Sequence, residues 1–164
     1  MKPSWKSRKH AWILATGLGL AACAAASGAH AQAVFNAKAD PRREIAAALE
    51  ASRAAGKLVL LDFGANWCLD CVVLEALFED PEVAPYLAAH FIVVRVDVGQ
   101  FNRNLDISAT YGRPIENGIP AVVVLSSSGA IVATTADGSM ENARTMTPRQ
   151  VLRFLQKCVT PERR

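Results

Sequence analysis

Cys68 and Cys71, three positions apart, are the residues of this chain best suited to covalent chemistry. A Cys-Leu-Asp-Cys segment has three readings: a reversible dithiol–disulfide couple, a static disulfide, or half of a zinc site. The flanking sequence favours the first. Leu58-Val59-Leu60-Leu61, bounded by Gly56, reads as a buried strand, and Val72–Phe78 is an apolar stretch that reads as a helix. The pair therefore falls where a strand hands over to a helix, with Cys68 at or near the helix N-terminus. Unpaired N–H groups and the helix dipole favour an anion there, which stabilises a Cys68 thiolate. One helical turn lets the second thiol reach back to the first. Cys68 would attack a substrate disulfide to give a mixed disulfide, and Cys71 would then attack the Cys68 sulfur and release the reduced substrate.

Asp70, between the cysteines, bears on the direction of that reaction. A negative charge beside Cys68 opposes its thiolate, and a less stabilised thiolate shifts the couple toward reduction. This predicts a reductant or reducing relay; the alternative is a solvated helix-surface acid of no consequence. Trp67 is expected to pack over the pair and shape its rim. Cys158 stands apart and has two readings, a buried apolar thiol or a partner in an intermolecular disulfide.

The elements that must position these residues follow from capping and periodicity. Asp40-Pro41 opens a helix that Gly56 ends. A strand over Lys57–Phe63 and the Cys68 helix come next. Asp80-Pro81 marks a break before a short helix over Glu82–His90, and Phe91–Val98 is the next strand. A short helix is expected at Leu105–Tyr111, then a hairpin of Ala121–Leu125 and Ala130–Thr134, and a closing helix after Thr147-Pro148. The order αβαβαββα describes an α/β domain with a sheet flanked by helices. Gly138–Met146 is a long connection, expected to be a surface insertion or a partner-recognition loop.

The 164 residues are 51% hydrophobic, enough for one core plus a leader. The net charge of +3 is concentrated at the start, in Lys2, Lys6, Arg8 and Lys9. Without those four, 14 basic residues face 15 acidic ones, and nothing suggests nucleic acid. Residues 1–31 read as an export signal, with a basic start, an apolar stretch from Ala11 to about Ala26, and Ala29-His30-Ala31 before a cleavage point at Gln32. Leu20-Ala21-Ala22-Cys23 also resembles the lipobox of bacterial lipoproteins, which would place a lipid on Cys23 and tie the chain to a membrane. The expected organisation is a signal over 1–31, a linker over 32–39, a single domain over 40–158 and a tail over 159–164. Periplasmic export puts the cysteines in an oxidising compartment.

Asp62 six residues before Cys68, the Trp67-Cys68-x-x-Cys71 motif and Gly118-Ile119-Pro120 ahead of a later strand resemble the thioredoxin superfamily. With Phe78-x-Asp80-Pro81-x-Val83 added, the chain looks most like the C-terminal periplasmic domain of DsbD-type thiol:disulfide reductases and their stand-alone relatives. The resemblance spans about Asp40 to Cys158 and implies a thioredoxin-like fold with a central mixed sheet. It implies that Asp62 accepts and returns the Cys71 proton, which a buried carboxylate with a raised pKa can do. It places Arg95 where relatives often have a lysine near this aspartate, holding the carboxylate ionised. It also implies that Pro120 is cis, leaving the Ile119 backbone free to pair with an extended substrate beside Cys68. The implied partners are exported disulfide-containing proteins, with a DsbD-type membrane reductase as electron donor and no bound cofactor. Oxidases and isomerases of the DsbA or DsbC kind usually carry an extra domain for which this chain has no room. A copper carrier with this fold usually has C-x-x-x-C and a distant histidine; here the spacing is C-x-x-C, and His90 is the sole histidine after residue 31. A redox-inactive binding module is the remaining alternative.

Overall fold

The computed structural model describes residues 33–160; residues 1–31, read above as an export signal and including Cys23, and the last four residues lie outside them. Helix α1, Pro41–Ala55, starts where Asp40 accepts hydrogen bonds from the Arg42 and Arg43 amides, and ends at Gly56 in the left-handed region. Strand β1, Leu58–Gly64, is buried along almost its whole length and runs directly into helix α2, Leu69–Phe78. Helix α3, Ala84–His90, leads into β2, Phe91–Asp97. A short helix α4, Leu105–Thr110, precedes the hairpin of β3, Ala121–Leu125, and β4, Ile131–Thr134. A 3₁₀ turn, Ala143–Thr145, then precedes α5, Pro148–Val159, which Thr147 and Gln150 cap reciprocally.

The sheet order is β2-β1-β3-β4, with β1 parallel to β2 and antiparallel to β3, and β3 antiparallel to β4. It is a mixed sheet with β1 at its centre. Alternation along β1 sends Val59, Leu61 and Phe63 to a core shared with α1 and α4, and Leu60 to a second core under α2, α3 and α5. Parallel pairing of β1 with β2 requires a crossover, and α2 and α3 supply it. That connection places the Cys-x-x-Cys segment at the C-terminal end of the central strand.

Two sequence expectations change here. Residues 33–39, read as a linker, pack onto the domain through Phe35, which is 1% exposed. The 138–146 connection is anchored and not a free surface insertion: Met140 and Ala143 are buried in the core beneath α2 and α5, while Ser139, Asn142, Arg144 and Thr145 stay exposed.

Candidate active site

The site begins where β1 ends. Cys68 is the N-cap residue of α2, in extended backbone, and its Sγ accepts the Cys71 amide at 3.2 Å. The two cysteines are joined as a disulfide, with Cα atoms 5.2 Å apart. Cys71 is fully buried and Cys68 nearly so. The carbonyl oxygen of Ile119 lies 3.6 Å from Cys68 Sγ, and the Ile119–Pro120 peptide bond is cis. Trp67 is half exposed; its indole N–H donates to the Gly99 carbonyl at 2.7 Å, and its ring lies 6.0 Å from that of Phe101. With exposed Leu69 and Val72 these rings give the molecule an apolar rim beside the disulfide.

Behind the disulfide, on β1, Asp62 is fully buried and neither carboxylate oxygen has a hydrogen-bond partner. Burial, reinforced by the nearby Glu75 carboxylate and opposed by Arg95, raises its pKa from 3.8 to about 7. Asp62 and Gly64 share one face of the strand, and Cys71 Sγ comes within 3.0 Å of where a Cβ on Gly64 would stand. The carboxyl and the inner thiol therefore belong to the same side of β1.

Arg95 does not hold Asp62 ionised as the resemblance implied. It is opposite Asp62 in the β1–β2 register, yet its guanidinium forks onto Glu75, with Nε 3.0 Å from Oε2 and Nη2 on Oε1. A planar fork matches a carboxylate in two places at once, and Glu75 on α2 can present both oxygens to it. Glu75, 6% exposed, is the functional candidate that sequence reasoning missed. Its signal was present: Cys71, Leu74, Glu75 and Phe78 form one buried helical stripe, so Glu75 is an acid at a core position.

Asp70 is not the free charge that its sequence position suggests. Its carboxylate accepts from the Arg144 amide at 3.0 Å and from Arg144 Nε at 3.1 Å, and its side chain is 13% exposed. A compensated charge has much less effect on a neighbouring thiolate, so the expected push toward reduction from Asp70 is largely cancelled. The same contact fastens the first turn of α2 to the 138–146 segment. Cys158 is buried on α5, donates to the Phe154 carbonyl at 3.2 Å, and has its pKa pushed up to about 11 by burial. That is the buried-thiol reading and leaves no exposed sulfur for an intermolecular bond. His90 packs against Tyr86, with ring centroids 4.3 Å apart.

Comparison with known proteins agrees with this geometry. A family model described as thioredoxin-like matches residues 40–127. A crystal structure of a disulphide isomerase from Xylella fastidiosa Temecula1 is 40% identical, with a TM-score of 0.77, covering 80% of this chain and 100% of that one. The thiol:disulfide interchange protein DsbD 1 of Pseudomonas aeruginosa is 42% identical over 60 residues, which are 36% of this chain and only 10% of that protein. A thioredoxin from Thermus thermophilus, 21% identical with a TM-score of 0.52 over 70% of this chain and 83% of its own, shares the fold. Matched over more than half its length, and carrying a Cys68–Cys71 disulfide at the head of α2, the chain belongs to the thioredoxin-like family as a thiol–disulfide oxidoreductase.

Proposed function

We propose that the protein is an exported reductant, or an electron relay, for protein disulfides. The observation that carries this reading is the buried Asp62 carboxyl, without a partner and beside Glu75, behind the Cys68–Cys71 pair. Glu75 takes the Arg95 guanidinium, whose charge also acts on Asp62 and Glu79, so the compartment favours neutral groups over additional anions. Reduced thiols there gain little from ionising, which keeps the disulfide easy to re-form and the dithiol a good electron donor. The argument for reduction thus rests on Asp62 and Glu75, not on Asp70.

In the forward reaction Cys68 attacks the substrate disulfide; its S–S bond breaks and the leaving sulfur departs as a thiolate to be protonated. Asp62, protonating near neutrality, takes the Cys71 proton as Cys71 attacks Cys68 Sγ, and the second substrate sulfur leaves. The substrate gains two electrons and two protons, and Cys68 and Cys71 are left as a disulfide. The Ile119 backbone beside Cys68 offers hydrogen-bonding groups to an extended substrate segment, and Trp67 forms the apolar side of that seat. Re-reduction falls to a dithiol donor of the membrane-reductase type to which DsbD 1 belongs by name. Residues 1–31 direct the chain to the periplasm, with lipidation at Cys23 as the alternative exit.

A chain beginning at Gln32 keeps Trp67 as its sole tryptophan, so fluorescence reports the state of the pair. Titration against dithiothreitol or glutathione buffers should give a midpoint near or below about −270 mV. A midpoint near about −120 mV would make the protein an oxidant, and the absence of a two-electron transition would remove disulfide exchange altogether.

A further inference from the structure

We propose that Phe35 is a positioning residue of the redox site, its ring sealing the compartment that holds Cys71 and Asp62. Phe35 is buried although Ala33, Asn36, Ala37 and Lys38 around it are exposed. It is the one fully buried residue of the 33–39 strap, with Val34 half-buried against the same core. Asn66 holds the strap at both backbone groups of Phe35, accepting its N–H at 2.9 Å and donating to its carbonyl at 2.6 Å. Arg103 adds a second fastening, donating to the Ala37 carbonyl at 2.8 Å while paired with Asp97 at 3.0 Å. Both fastenings come from the segments that build the rim: Asn66 directly precedes Trp67, and Arg103 lies in the loop that carries Gly99 and Phe101.

The ring lies against the site itself. A Cβ on Gly64 would overlap the Phe35 ring and come within 3.0 Å of Cys71 Sγ, so ring and sulfur meet across a position kept empty by glycine. Asp62 is two residues back on the same face of β1. The ring closes the open end of that face, where water would otherwise reach Cys71 and then the unpartnered carboxyl. The charged groups that face Asp62 are Glu75 from α2 and Arg95 from β2; the strap contributes none, since Lys38 points to solvent. Phe35 therefore acts by excluding water, and this role rests on the reading of Asp62 as the acceptor of the Cys71 proton.

The test uses the reduced full chain, iodoacetamide time courses from about pH 5 to about pH 9, and peptide mapping that scores each cysteine separately. In the native chain Cys71 should react far more slowly than Cys68. Phe35→Ala should raise the Cys71-to-Cys68 ratio by about tenfold, as protection by burial is lost. It should also move the transition abolished by Asp62→Asn to lower pH. If Phe35→Ala does not fold, Phe35→Val removes the ring while keeping an apolar anchor, and a ratio raised by about threefold is expected. A merely structural Phe35 would lower the thermal midpoint and leave both the ratio and the pH profile unchanged, which would overturn the proposal. If Cys71 opens but no transition depends on Asp62, the proton-acceptor reading falls and the seal stands. If the Asp62 transition is present and no Phe35 variant moves it or opens Cys71, the seal falls alone.

Discussion

Replacing Asp62 with asparagine removes an ionisable group while nearly preserving shape, so its effect on stability can be worked from the site. In the folded chain the carboxyl protonates at about 7 because it is buried beside Glu75; in the unfolded chain it returns to about 3.8. Between those values the folded chain keeps a proton that the unfolded chain has released. Stability therefore falls as pH rises through this window, and the full penalty is present above about pH 7. At about 1.4 kcal/mol per pH unit, the penalty is ~4 kcal/mol. The amide of the variant cannot ionise and should escape that loss, although a buried amide without partners adds a cost that does not vary with pH. Urea unfolding of the oxidised chain and of Asp62→Asn, from about pH 4 to about pH 8, separates the two terms. The stability difference should move by ~4 kcal/mol in favour of the variant across that range. Parallel curves would refute the reasoning, because they would mean that Asp62 ionises alike in the folded and unfolded chains.

Further outcomes follow from the neighbours of Asp62 and from the two remaining polar features. Glu75→Gln removes a charge that raises the Asp62 pKa, so the Asp62-dependent step in Cys71 alkylation should shift to lower pH. Arg95→Met removes the opposing cation, so the same step should shift to higher pH, with a loss of about 1–3 kcal/mol in urea unfolding, since Arg95 is partly exposed. Arg144→Ala uncovers the Asp70 charge beside Cys68; alkylation of Cys68 at neutral pH should slow and recover when Asp70→Asn is added. Asp70→Asn alone leaves the Arg144 cation uncompensated near Cys68, so it should raise this rate where Arg144→Ala lowers it. Cys158→Ala should cost about 1–2 kcal/mol by urea unfolding and leave the redox midpoint where it was.

What the sequence made legible was local or came in one contiguous signal. Asp40-Pro41 and Gly56 bound a helix because capping chemistry acts within a turn, and helix α1 runs between them. Leu58–Leu61, bounded by Gly56, read as a buried strand handing over to a helix at Val72–Phe78, and that junction is where the disulfide stands. Partner choice was not legible. Arg95 is level with Asp62 across two parallel strands, but the α2 crossover brings Glu75 over the sheet with both oxygens free for a guanidinium. Asp70 meets Arg144 from 74 positions away, a distance over which no local pattern reports. Phe35 was missed for the opposite reason: the short 33–39 stretch carries no helical or strand period, and the burial of Phe35 depends on Gly64 having no side chain.

Asp62, Asp70 and Glu75 are three carboxylic acids of one site, and their different surroundings decide how each bears on the proposed redox chemistry. Asp70 lies nearest to Cys68 in sequence, yet an amide and a guanidinium satisfy it near the surface, so little of its field is left to act on the sulfur. Glu75 is buried, and its pairing with Arg95 occupies the cation that would otherwise stabilise an Asp62 anion. Asp62 is left with burial as the dominant influence, and burial disfavours charge. In the proposed mechanism, the carboxyl that takes part in proton transfer is therefore the one with no partner. Pairing it would lower its pKa out of the range in which it can exchange a proton with a thiol. The ~4 kcal/mol expected above neutrality falls on the rest of the domain, whose central strand buries Leu60, Leu61 and Phe63 completely.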